Sequence, residues 1–164
     1  MPIATIKKEA NKALYFLTPT IKNWYYIFDR HNRWQILADS IKYCQQHKNL
    51  EIYSYVFMLN HLHMIVKSPD VAGFIRDFKK YTSTELIKNI KHTEPLVLNL
   101  FKDEEGYSFW KKDNQPKILE SQGFALQKLN YIHNKPVAKG YVLQPEHWKW
   151  SSANPKSEIR INPW

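Results

Sequence analysis

YSYVFMLNHLHMIVKSP, residues 53–69, decides how this chain folds. Aromatic and β-branched residues flank a short MLNH connection, which reads as a hairpin of two strands, Leu50 to Met58 and Leu62 to Lys67. Side chains alternate faces along a strand, so His61 and His63 point the same way, about 6 to 7 Å apart along the chain. Leu62, Met64 and Val66 point the other way. Two imidazoles so placed can share one metal ion, which then needs a third ligand from another element; imidazole with oxygen donors suits Mn2+, Zn2+, Co2+ or a Mg2+ surrogate. An H-x-H pair also arises easily by chance, so the spacing alone leaves two surface histidines on a half-exposed strand as an equal reading.

Outward from this hairpin, Ala13 to Ile21 is apolar and β-prone and reads as a strand ending near Pro19. From His31 to His47, Trp34, Leu37, Ala38, Ile41 and either Tyr43 or Cys44 recur at helical spacing. Ser68, Pro69 and Asp70 open a second helix that runs to about Ile90 and buries Phe74, Phe78, Leu86 and Ile90. Its other side is basic, with Arg76, Lys79, Lys80, Lys88 and Lys91 against Asp77 and Glu85. After Thr93 the pattern weakens to a loop and an extended piece around Tyr107 to Leu119. Gly123 to Asn134 predicts a last helix, stopped by Lys135 and Pro136, because proline disfavours helical geometry in the residue before it. The chain beyond Gly140 is irregular. This order predicts an α+β fold, a ferredoxin-like split βαβ sandwich whose antiparallel sheet has helices on one face and an open second face. We expect one domain over residues 1–164, with an irregular C-terminal extension from about 141.

Composition narrows the function. With 164 residues and 43% hydrophobic content there is apolar material for one core. The 24 Lys and Arg against 15 Asp and Glu leave a formal charge of +9, the footprint of a partner rich in phosphate. Aromatic residues make up 15% of the chain and can stack on unpaired bases as well as fill a core. Cys44 is the only cysteine, which excludes an intrachain disulfide or a cysteine-built zinc site and fits a reducing, cytoplasmic setting. The segment MPIATIKKEANKALYF lacks an apolar core of signal-peptide length, and no window suits a membrane span. Four glycines without a phosphate-cradling loop argue against nucleoside-triphosphate chemistry.

The runs MLNHLHMIV, FIRDFKKYTS, FWKKDNQP and LNYIHNKPVAKGYVLQPEHWKWSSA together resemble the single-tyrosine HUH transposases, specifically the REP-associated tyrosine transposase branch. The resemblance covers nearly the whole chain. It implies a ferredoxin-like fold that cuts and rejoins single-stranded DNA, often at hairpin-forming ends, with a divalent ion, Mg2+ or Mn2+, and a tyrosine nucleophile. Attack by a phenol on phosphorus gives a covalent 5′-phosphotyrosine and a free 3′-hydroxyl, which keeps the bond energy for rejoining without ATP. Its members act as single chains or as homodimers.

Relatives commonly carry a tyrosine shortly after the tryptophan that Trp110 matches, and here the chain reads KKDNQP. Tyr81, on the basic helix, is the first substitute as nucleophile, Tyr107 the reserve; a helix-edge aromatic packing on Phe74 and Phe78 is the competing reading of Tyr81. Tyr131 belongs to the Tyr-Ile-x-Asn-x-Pro pattern and reads as structural. Gln115 stands where relatives tend to have histidine and is the expected third metal ligand beside His61 and His63, with Glu85, one turn beyond Tyr81, as its competitor. Arg76, Lys79, Lys80, Lys111 and Lys112 are the expected phosphate contacts, and Trp110 the stacking ring. A relative that binds DNA but has lost the cutting step is the alternative function, and a metal-dependent hydrolase that uses water ranks behind both.

Overall fold

The computed structural model describes residues 13–164; the reading of the N-terminal segment falls largely on residues 1–12, outside those described. Its elements follow in the order β1 (Tyr15–Leu17), α1 (Arg33–His47), β2 (Glu51–Phe57), β3 (Leu62–Lys67), α2 (Val71–Thr93), the short β4 (Lys102–Asp103) and β5 (Gly106–Tyr107), β6 (Lys117–Ile118) and α3 (Gln122–Ala138). The main sheet is antiparallel with strand order β2-β3-β1-β6, the split βαβ arrangement expected. A two-residue turn at Leu59 and Asn60 closes the β2–β3 hairpin through the bond from Met58 N–H to the His61 carbonyl, 2.8 Å. Asp70 caps α2 by accepting from the Gly73 N–H at 2.9 Å.

The strand faces sort into two cores. Tyr15 and Leu17 of β1, Tyr55 and Phe57 of β2, and Leu62, Met64 and Val66 of β3 pack against Leu37 and Ile41 of α1 and Phe74 and Phe78 of α2. Phe16, Val56 and Ile65 point the other way and are covered by Leu119 and by Ala125 and Ile132 of α3. The expectation of helices on one face with an open second face is therefore corrected. Both faces of the central strands carry large apolar side chains, and burying the second set requires a helix on that side.

Two sequence boundaries move for physical reasons. The extended piece expected over Tyr107 to Leu119 pairs with β1 only intermittently: Trp110 bridges Ile21, the Asn114 carbonyl accepts from Thr18, and Lys117 and Ile118 pair with Phe16 and Tyr15. Between these points Gln115 adopts φ 49°, with its N–H donated to Asp113 Oδ1 at 2.8 Å, so the strand breaks there. The last helix does not stop at Asn134. It runs through Pro136 to Ala138, because a proline in the final turn forfeits one hydrogen bond while Lys139 N–H still reaches the Lys135 carbonyl at 3.1 Å.

The chain after Gly140 forms no regular strand but lies along the free edge of β2. Phe57 N–H donates to the Trp150 carbonyl at 2.8 Å, Ser152 N–H to Tyr55 at 3.0 Å and Asn162 N–H to Ile52 at 2.7 Å, which covers an edge otherwise open to pairing with other chains. Among the described residues, no helix is long and apolar enough to cross a membrane.

A buried arginine ties the start of α1 to the end of α2. Arg33, with no exposed side-chain surface, donates to Asn89 Oδ1 (2.8 Å), the Ile27 carbonyl (3.0 Å), Thr93 Oγ1 (3.1 Å) and Glu94 Oε1 (2.8 Å). Arg33→Ala leaves the buried Ile27 carbonyl without its donor and empties the space beneath the helices, while Glu94 keeps Arg30, and a urea melt is expected to show a loss of about 2 kcal/mol.

Candidate DNA-cleavage site

His61 and His63 project from the start of β3 on the α3 side of the sheet, with ring centroids 4.8 Å apart. His63 is 5% exposed, stacked on Phe16 at 5.3 Å, and its Nδ1 lies 2.9 Å from Thr18 Oγ1. Its Nε2 is buried and has no hydrogen-bond partner among the described residues. Asn60 fixes the other ring. Its Nδ2 donates to the Trp24 carbonyl at 2.9 Å, which turns its Oδ1 toward His61 Nδ1 at 2.7 Å. With the proton of His61 held on Nδ1 by that oxygen, the Nε2 lone pair is left free.

Burial drives both imidazoles toward the neutral form. Desolvation, with smaller contributions from Lys135 and Lys139, lowers His61 from 6.5 to about 4. His63 is lowered further, by desolvation first and then by His61, Lys135 and Lys128. Neutral imidazoles with free Nε2 atoms are the state a metal ion needs, and a buried Nε2 without a partner is the feature such an ion would satisfy. Among the described residues, no three His, Cys, Asp or Glu side chains converge, so a third donor must be of another kind. Gln115 lines the same cavity of about 260 Å³ as the two histidines, placed there by the break between β1 and β6. As a donor set, two imidazoles and one carboxamide oxygen would suit a divalent cation and would leave it open to substrate oxygen.

Three phenols line this cavity, Tyr26, Tyr131 and Tyr141, and Tyr131 is the one whose ring packs against His63. Its ring stands edge-on to His63 at 5.2 Å, and its hydroxyl accepts a 3.0 Å hydrogen bond from Lys135 Nζ, one helical turn on. The Lys128 and Lys135 ammonium groups lie 5.3 and 5.1 Å from the ring centre. Lys135 and Lys139 line the cavity with Trp24, Tyr26 and Tyr141, so its rim is cationic and aromatic. The reading from sequence took Tyr131 as structural and ended its helix before Lys135, where the structure carries the helix to Ala138. A helix continued through Pro136 puts Tyr131 and Lys135 on one face, and the available signal was a tyrosine with lysines three residues before and four after.

The remaining site residues lie elsewhere. Tyr81 is on the opposite side of the sheet, in a groove between α1 and α2 lined by Asp39, Tyr43 and Thr84, so β3 separates it from the histidines. Glu85 faces Lys88 on α2 at 3.5 Å. Tyr107 lines a different, basic groove of about 370 Å³ with Lys79, Lys80, Lys111 and Lys112. In that groove Lys79 is turned inward: it donates to the Lys111 carbonyl at 2.8 Å, and burial lowers it to about 8. Lys80 and Lys112 are exposed, and Arg76 is exposed beside Asp77 at 3.3 Å. Trp110 is not an available stacking ring. It is 5% exposed, packs on Phe28 and Phe78, and gives its indole N–H to Thr82 Oγ1 at 3.0 Å, because its bridge to Ile21 seats it against α2.

No curated protein matches the chain in sequence. Among solved structures, a REP-associated tyrosine transposase bound to a REP hairpin shares the fold, with a TM-score of 0.67 at 18% identity over 86% of this chain and 76% of that one. The REP-associated branch that the sequence resembles is thus also where a solved fold of this kind is found. Residues 11–134 match the family model of IS200-like transposases, and the chain belongs to that family.

Proposed function

We propose that the chain cleaves and rejoins single-stranded DNA through a covalent 5′-phosphotyrosine on Tyr131, with His61, His63 and the Gln115 carboxamide holding a divalent ion, Mg2+ or Mn2+. The observation that carries this reading is the contact of Tyr131 with His63 in the same chain, its hydroxyl held by Lys135 at the mouth of the cavity. Membership of a transposase family supports DNA as the substrate.

The cationic rim formed by Lys135 and Lys139 draws the phosphodiester in. Lys135 orients the Tyr131 oxygen and stabilises the negative charge it gains on losing its proton to solvent. That oxygen attacks phosphorus, the bond from phosphorus to the 3′-oxygen breaks, and the departing oxygen takes up a proton to leave a 3′-hydroxyl. When bound at the histidines, the divalent ion supplies Lewis-acid polarisation of a non-bridging phosphate oxygen. Rejoining is the reverse attack by a 3′-hydroxyl. Because Tyr131 and both histidines come from one chain, cleavage needs no second subunit. The motive for a binding-only reading, the missing tyrosine after Trp110, loses its weight once a phenol stands beside His63.

Incubation with Mn2+ and labelled hairpin DNA carrying single-stranded flanks is expected to give an adduct stable to denaturation, lost in Tyr131→Phe and kept in Tyr81→Phe and Tyr107→Phe. Adduct retained by Tyr131→Phe would refute the assignment. Lys135→Ala is expected to slow adduct formation by about 10- to 100-fold, the worth of one hydrogen bond to a charged group in a barrier.

The histidines give a separate prediction in metal-free protein. The unfolded chain protonates its histidines near 6.5, whereas folded His61 stays neutral down to about 4, so stability is full at neutral pH and falls as pH drops through that window. The slope, read from urea midpoints, is at most about 1.4 kcal/mol per pH unit for each histidine, and His61→Asn with His63→Asn reduces it, leaving the share of His133, which burial also lowers. At pH 7, Mn2+ is expected to raise the wild-type midpoint and to leave that of the double variant unchanged.

A further inference from the structure

Trp24 combines three features that core packing does not explain. It is 61% exposed, the backbone at Asn23 (φ 58°) and Trp24 (φ 55°) is left-handed in both residues, and its ring lies under Lys111 Nζ at 4.0 Å. Neither residue is glycine, so the conformation is held by its surroundings. Those surroundings are the site itself: the Trp24 carbonyl receives the Asn60 amide that orients His61, and Trp24 N–H donates to the Ile21 carbonyl at 3.1 Å. Lys111 is anchored in turn, its N–H bonded to the Thr20 carbonyl at 2.8 Å. Trp24 lines the histidine cavity and Lys111 lines the basic groove beside Lys80 and Lys112, so the two meet at this indole.

We propose that Trp24 is the platform on which one unpaired base beside the scissile phosphate stacks, while Lys111 meets an adjoining backbone phosphate, so that a single strand passes from the basic groove over the indole into the histidine cavity. This rests on the reading of that cavity as a single-stranded DNA site. An exposed indole offers a π-face to any base, and Lys111 over the ring fixes the ring's orientation before the strand arrives. Trp24 then sets where the strand is cut, by holding one nucleotide at a fixed distance from Tyr131, without reading which base it is.

The test is a coupling measurement. A labelled oligonucleotide, a hairpin with mixed-sequence single-stranded flanks, is prepared intact and with one abasic site at each flank position in turn, and binding is read by anisotropy in the Tyr131→Phe background so that the DNA stays whole. Trp24→Ala is expected to weaken binding to the intact oligonucleotide by about 5- to 150-fold, the range for loss of one base–aromatic stack, with Trp24→Phe close to wild type. One abasic position is expected to cost the parent a similar factor and to cost Trp24→Ala nothing further. Lys111→Ala is expected to reduce the salt dependence of binding by about one phosphate contact. Unchanged affinity in Trp24→Ala, or equal abasic penalties in both proteins, overturns the proposal. Adduct formation by the unmutated protein on the same oligonucleotide separates the two readings: adduct without Trp24 coupling defeats the platform alone, and coupling without adduct defeats the cleavage chemistry alone.

Discussion

The alternation of β3 governs the rest of the molecule. One side of the strand must be apolar enough to seat two helices, and the other must carry polar rings that are nonetheless almost dry. Leu62, Met64 and Val66 meet the first demand in the core beneath α1 and α2. His63 meets the second only because Phe16 and Tyr131 cover it and Thr18 takes its Nδ1. A shift of one residue in the register of β3 against β1 and β2 would exchange the faces, driving the histidines into the core and the aliphatic residues under α3. The pairs Leu17 with Met64 and Val56 with His63 hold that register, as does the tight turn at Leu59 and Asn60.

Much of this was legible in the sequence. The hairpin, the two helices around it and the shared face of His61 and His63 follow from periods of two and 3.6 residues, which local chemistry enforces. What was hidden depended on tertiary contacts. The strand facing β1 is broken at Gln115 by an aspartate-held turn, so no continuous alternation marks it. α3 continues through Pro136, and only that extra turn brings Lys135 beside the Tyr131 hydroxyl. Trp110 and Trp24 look alike as letters. One sits where β1 and α2 close over it and the other on a left-handed turn at the surface, and a period cannot distinguish them.

Asn60 links local structure to the site. It is the second residue of the hairpin turn, its carbonyl accepts from Ile21, and its side chain joins the Trp24 carbonyl to His61 Nδ1. One amide therefore positions a strand connection, a tautomer and an exposed aromatic residue. A partner of this kind fixes a histidine ring's orientation as firmly as packing does, and the geometry of the pair is set by the fold itself.

The charge of +9 is also organised. On α2, Arg76 and Lys88 face Asp77 and Glu85, which makes that stretch of basic residues largely a solvated helix surface. Lys128, Lys135 and Lys139 instead act on the histidines, and among the described residues no carboxylate shares the lining of that cavity. Lys80, Lys111 and Lys112 share the second groove. Unbalanced lysines so close to buried imidazoles would be unfavourable for a site meant to stay empty. They would favour an anion, and the two clusters meet at the indole of Trp24, the arrangement that the proposed single-stranded DNA path requires.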